Sequence, residues 1–157
     1  MAQPIPKGYH SVTPHLTVRD VARAIDFYKR AFGATEVSAL TMPGGKIGHA
    51  ELTIGDSKIM LAEEFPGANR SPESLGGTAV QLHLYFKDVD SAFQQAVAAG
   101  AKADMPPTDM FWGDRYGKLT DPFGHSWGLA THIKDCTPEE MQKGMEEAFA
   151  KMGAKHA

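Results

Sequence analysis

The sequence predicts an α+β fold: two tandem βαβββ modules forming a curved sheet around a shared cleft, plus a C-terminal helix. Three observations carry that prediction. The chain has 157 residues, 42% hydrophobic and 22% charged, which is the length of one domain with enough apolar side chains for a sizeable core. A strand-like stretch, an amphipathic helix and several further strand-like stretches alternate, and then do so again. The two halves also superimpose. HLTVRDVARAI (His15–Ile25) matches HLYFKDVDSAF (His83–Phe93) at an offset of 68 residues, with His, Leu, Asp, Val and Ala identical. A period of that length marks a duplicated supersecondary unit rather than a solenoid. Two such units whose sheets pair would enclose a cleft that neither forms alone.

Each element has a local reason. Ser11–Val18 reads as the first strand. Asp20 caps the following helix, in which Val21, Ala24, Ile25, Tyr28 and Phe32 recur every three or four residues as one buried face, and Gly33 closes it. Thr35–Met42, Ile47–Ile54 and Lys58–Ala62 read as strands, punctuated by turns at Pro43-Gly44-Gly45 and Gly55-Asp56. Glu64–Ala79 is rich in Gly, Pro and Ser and reads as a linker or mobile loop. Val80–Phe86 is strand again, Asp88–Ala99 is helix ended by Gly100, and strands recur at Arg115–Thr120 and Ser126–His132. Thr137-Pro138-Glu139-Glu140 is a capping box with Pro at the first helical position. It opens a last helix whose Met141, Met145, Phe149 and Met152 form one stripe, either packed on its own domain or covering a partner subunit. The expected layout is a single domain: module 1 over about 9–64, linker 65–79, module 2 over about 80–133, and C-terminal helix over about 137–153.

Composition narrows the function. Sixteen Lys and Arg against nineteen Asp and Glu give a net charge of −3 with no basic tract, so neither nucleic acid nor an anionic membrane is an expected partner. No apolar run reaches the roughly 18–20 residues of a membrane span, and the first ten residues lack a secretory core, so the expected location is cytoplasmic. Cys136 is the only cysteine, which excludes an internal disulfide and any multi-cysteine metal site. There is no G-x-S-x-G elbow and no phosphate-cradling glycine loop.

The residues left to carry chemistry are polar side chains on strands, where alternate positions share a face. Thr13 and His15 look one way, as do Gln81 and His83 in the second repeat, while Leu16, Val18, Leu82 and Leu84 would face the helices. Met60 and Ala62 correspond by repeat to Gly128 and Ala130. His15 and His83 are read as lining a pocket, with ordinary strand histidines and metal ligands as the alternatives. His49 and Glu51 share a face and form a possible ligand or acid–base pair, or an exposed polar face. Phe111, Trp112, Asp114, Arg115 and Tyr116 cluster before the Asp121-Pro122-Phe123-Gly124 turn. There Arg115 would clamp a carboxylate or phosphonate through its planar fork, or simply fix a loop with Asp114. His125 and Trp127 share a face, suited to stacking on a planar ligand or to core packing. The expected ligand-binding cleft is therefore Thr13, His15, Met60, Gln81, His83, Trp112, Arg115, Tyr116, Trp127 and Gly128.

VRDVARAIDFYKRAFGA, KDVDSAFQQAVAAGA and LTDPFGHSWGLATH together resemble the vicinal-oxygen-chelate superfamily of glyoxalases, bleomycin-resistance proteins, fosfomycin-resistance enzymes and extradiol dioxygenases. Within it the WGDRYG…DPFGH…W…LATH run is similar to the PhnB-like branch. The resemblance implies paired βαβββ modules forming a cup, often completed in a homodimer. It also implies that metal-dependent relatives take one ligand from each first and each fourth strand, at places that fall here on Thr13, Met60, Gln81 and Gly128. All four depart from the pattern, so no metal is expected there and no cofactor is expected overall. The expected function is binding of a small molecule in the cleft between the modules. The alternative is a metal-dependent lyase, isomerase, transferase or dioxygenase with a non-standard site drawn from His15, His83, His49 and Glu51. A third reading is a metal-independent enzyme using His15 or His83 for proton transfer.

Overall fold

The computed structural model describes residues 1–156. The first module runs β1 (His15–Val18), α1 (Val21–Phe32), β2 (Thr35–Thr41), β3 (Ile47–Ile54) and β4 (Ser57–Glu63). A short helix, α2 (Pro72–Leu75), precedes the second module: β5 (Gln81–Tyr85), α3 (Val89–Ala99), β6 (Lys102–Asp109), β7 (Asp114–Thr120) and β8 (Ser126–His132). Helix α4 (Pro138–His156) follows. Each module is a four-stranded mixed sheet, ordered β1-β4-β3-β2 and β5-β8-β7-β6. In each, the first strand runs parallel to the fourth and the other pairs are antiparallel. β1 and β5 are the edge strands of their sheets, and among the described residues no ladder joins them.

Local chemistry accounts for the elements. The Asp20 side chain accepts from the Arg23 amide at the start of α1, and Gly33 ends that helix in the left-handed region with φ 69°. There the amides of Gly33 and Ala34 return to the carbonyls of Lys29 and Tyr28, a closure that favours a residue without Cβ. Glu63 pins the same helix to its sheet, accepting from the amides of Asp20 and Val21 at 3.0 and 2.9 Å and from Lys46 at 2.8 Å. Burial pushes the Glu63 carboxyl up. The Lys46 ammonium and the two amides outweigh burial and hold it below its usual range.

One core serves both modules. Helices α1 and α3 lie against each other, tied by Arg30 to the Ala99 carbonyl and Gln95 to the Arg30 carbonyl. Phe27, Tyr28 and Phe32 of α1 meet Phe123 and Trp127 of the second module, and all five side chains are buried. Such aromatic contacts gain beyond simple area burial. At their centre lies the buried carboxylate of Asp121. It accepts from the Tyr28 hydroxyl, Trp127 Nε1 at 2.8 Å, and the amides of Phe123 and His125 at 2.9 and 3.0 Å.

Three expectations are corrected. β6 is a strand that periodicity missed, because Pro106 and Pro107 interrupt it. As an edge strand it tolerates them at the cost of register shifts around Met105. The segment after β4, read as a linker or mobile loop, is packed and carries α2: Ser71 is fully buried, Pro72 is buried, and the Ser71 amide donates to Glu64 at 2.7 Å. The first strand is shorter than expected and begins only after Pro14. The α4 capping box forms with both its hydrogen bonds, but Met141, Met145, Phe149 and Met152 all remain exposed. No described helix is long and apolar enough to cross a membrane.

Candidate functional site

Strand alternation builds a polar face on the second sheet. On β5, Leu82 and Leu84 pack against the core while Gln81, His83 and Tyr85 face away. On β7, a side chain at Gly117 would strike Phe93 of α3, so the odd positions face the helix and Asp114, Tyr116 and Lys118 take the opposite side. On β8, Trp127 and Leu129 are core, which leaves Gly128, Ala130 and His132 on the polar face.

Register then brings particular residues together. His83 pairs with Gly128 and Gly128 with Lys118; Tyr85 pairs with Ala130 and Ala130 with Tyr116. The middle strand thus offers two small residues, and the flanking side chains lean inward over them. A Cβ at Gly128 would lie within 3.1 Å of atoms of Gln81, Tyr116 and His83. Gln81 Nε2 donates to the Tyr116 hydroxyl at 2.6 Å. The rings of His83 and Tyr116 are nearly parallel, 9° apart with centroids 5.5 Å apart. Tyr85 lies 4.8 Å from His83, and Trp112 meets Tyr116 edge-on at 5.7 Å.

A carboxylate orients this aromatic shelf. Asp114, 3% exposed, accepts from Tyr85 Oη at 3.0 Å, from Trp112 Nε1 at 3.2 Å and from His132 Nδ1 at 2.7 Å. His132 Nε2 bonds Asp135 at 2.8 Å. Burial pushes the Asp114 carboxyl up, but its three partners hold it below its usual value. Asp135 and then Asp114 raise the His132 pKa.

The first sheet presents its own polar face. Here the row His15, Met60, Glu51, Ser38 runs across four strands. His15 and His49 meet edge-on at 5.5 Å, His49 Nε2 lies 3.9 Å from Glu51, and Ser38 donates to Glu51 at 3.3 Å. Thr13 ahead of β1, Lys58 of β4, and Leu82 and His83 of β5 line a crevice of about 260 Å³ between the modules.

Of the expected cleft residues, Gln81, His83, Trp112, Tyr116 and Gly128 come together on the second sheet, while His15 and Met60 lie in register on the first. Two lie off the polar faces. Trp127 is fully buried in the aromatic core because its strand position faces α1, and it belongs to the inter-module crevice only as part of its lining. Arg115 occupies the helix-facing side of β7, where its fork grips Asp90 at 2.9 Å through two nitrogens and Asp109 at 3.0 Å. These carboxylates raise its pKa further and occupy the donors a ligand would need. Sequence reading missed Tyr85, Lys118 and His132 and gave Asp114 only a loop-fixing part. The signal was present, since Tyr85 is two residues from His83 and Asp114 two from Tyr116.

The fit to a metal ion can be tested on the donors. Gly128 supplies none, and any side chain there would collide with its three neighbours. Met60 offers a thioether, a soft and poor ligand for a hard cation. Among the described residues no three His, Cys, Asp or Glu side chains converge as a metal-holding group. The residues at these places do not fit the metal that the vicinal-oxygen-chelate pattern implies.

Comparison with known proteins agrees with this architecture. The family model of the glyoxalase/bleomycin resistance protein/dioxygenase superfamily matches residues 8–129. Rv0887c of Mycobacterium tuberculosis, an uncharacterized protein, is 44% identical over 139 residues, spanning 86% of this chain and 82% of its own. The crystal structure of TioX from Micromonospora sp. ML1 superimposes with a TM-score of 0.64 at 28% identity, covering 79% of this chain and 99% of that one. A PhnB protein from Bacillus cereus shares the fold, with a TM-score of 0.61 at 21% identity over 78% of this chain and 99% of its own.

Proposed function

This chain belongs to the glyoxalase/bleomycin resistance protein/dioxygenase superfamily, and from that premise we propose that it binds a small planar molecule on the aromatic shelf of its second module, beside the inter-module crevice. The observation that carries this reading is the parallel His83–Tyr116 pair over Gly128, flanked by Trp112 and Tyr85 on an open face. Aromatic rings held rigidly by hydrogen bonds to Asp114 and Gln81 present π-surface at little cost in side-chain entropy. The binding proposed needs no ion, since stacking and the polar rim of Gln81, His83 and Lys118 supply every contact.

A panel of planar aromatic fluorophores tests it. Trp112 is the reporter on the shelf and Trp127 lies in the core, so Trp112→Phe should remove most of the emission change that a bound compound causes. His83→Ala and Tyr116→Ala should each weaken binding by about three- to tenfold with little change in melting temperature. If both variants bind as the parent does, the shelf is not the site.

A further inference from the structure

A second crevice of about 390 Å³ lies where β1 of the first module, the segment after β4 and the start of the second module meet. Pockets of this size hold small ligands, with room here for roughly a dozen groups of water size at about 30 Å³ each. Its walls are mainly apolar: Leu16, Pro72, Leu75, Val80 and Leu82. Leu75 and Val80 at the rim are 59% and 66% exposed. Neither Gln81 nor His83 lines it, and it shares only Pro14 and Leu82 with the crevice beside the aromatic shelf.

We infer that this crevice binds a small amphipathic carboxylate, its apolar body against Leu75, Val80 and Leu82 and its anionic end at Arg70. The charge argument comes from how the neighbouring cations are used. Arg19 is taken by Glu64 and Glu73, and Lys46 by Glu63. Arg70 lines the crevice, donates only to the Ser74 carbonyl at 2.7 Å, and has no carboxylate partner among the described residues. That bond leaves most of a five-donor fork free, and a carboxylate matches it. His15 lines the same crevice, whereas His125 is committed to the Thr17 carbonyl at 2.8 Å.

The walls are preformed. The segment carrying Arg70 is bolted down through Glu64 and Ser71, and α2 is seated against Gly124, where an added Cβ would lie 2.8 Å from Pro72. The ligand therefore need not order a loop, which would otherwise subtract from affinity.

Amide chemical-shift mapping of the full chain, titrated with octanoate and with 1-octanol, tests the assignment. Octanoate should move the amides of Leu75, Val80 and Leu82, leave those of Lys118 and His132 in place, and saturate at least about tenfold below the alcohol. Arg70→Met keeps the stem but removes the charge, and should bring octanoate to the alcohol's affinity while leaving the alcohol unchanged. Three results would overturn the inference: no saturable shifts, shifts centred on the aromatic shelf, or an Arg70→Met variant that keeps the preference for octanoate. The aromatic shelf is read by different probes and variants, so either site can fail without the other.

Discussion

The buried carboxylate of Asp121 collects donors from α1, from β8 and from the turn between β7 and β8. Asp121→Ala would leave two buried side-chain donors and two amides without partners, and should cost about 3 kcal/mol or more in urea unfolding. Tyr28→Phe removes one donor and should cost about 1–2 kcal/mol. His132 is a residue-scale test of the shelf. Its raised pKa means that its stabilising contribution is present below the imidazole's ordinary 6.5 and is lost as pH rises through the higher folded value. Its partner Asp114 is depressed from 3.8, so that contribution survives until pH falls through the lower folded value. The melting-temperature difference between the protein and His132→Ala should therefore be largest between the two ordinary values and shrink in alkali.

At the scale of elements, the segment between the modules is held by Glu64. Hydrogen bonds from Ser74 and from the Ser71 amide lead the causes that bring its carboxyl down to about 2. A depressed carboxyl contributes stability above its unfolded value that is lost as pH falls through the folded one. Glu64→Gln should thus speed proteolysis of the segment at neutral pH, with the difference from the parent shrinking as pH approaches 2. Composition concealed this anchoring, because Gly, Pro and Ser serve a packed irregular segment as readily as a loose one. Edge strand β6 was hidden for a related reason. Its prolines break the periodic signal, and only its place at the sheet margin makes them tolerable. Helix α4 was legible from its capping box, but whether its Met and Phe stripe packs down depends on what stands opposite. Gly144 rests on Phe111 while the stripe itself stays exposed.

For the whole molecule, the decisive feature is that the modules do not have separate cores. Phe27, Tyr28 and Phe32 need Phe123 and Trp127. A fragment of residues 1–79 should therefore lack a cooperative thermal transition by circular dichroism, whereas the full chain should melt in one step. What the sequence determined by itself is what depends on neighbours along the chain: the helix faces, caps and turns, the 68-residue duplication, and the alternation that separated His83 from Leu82. Contacts between strands distant in sequence were decided only by the tertiary structure. Register and packing side turned Arg115 toward Asp90 and sank Trp127 into the core. The same contacts gathered Tyr85 and His132 around Asp114. Those placements follow from which residues lie opposite across a ladder or a helix, and no local pattern records that pairing.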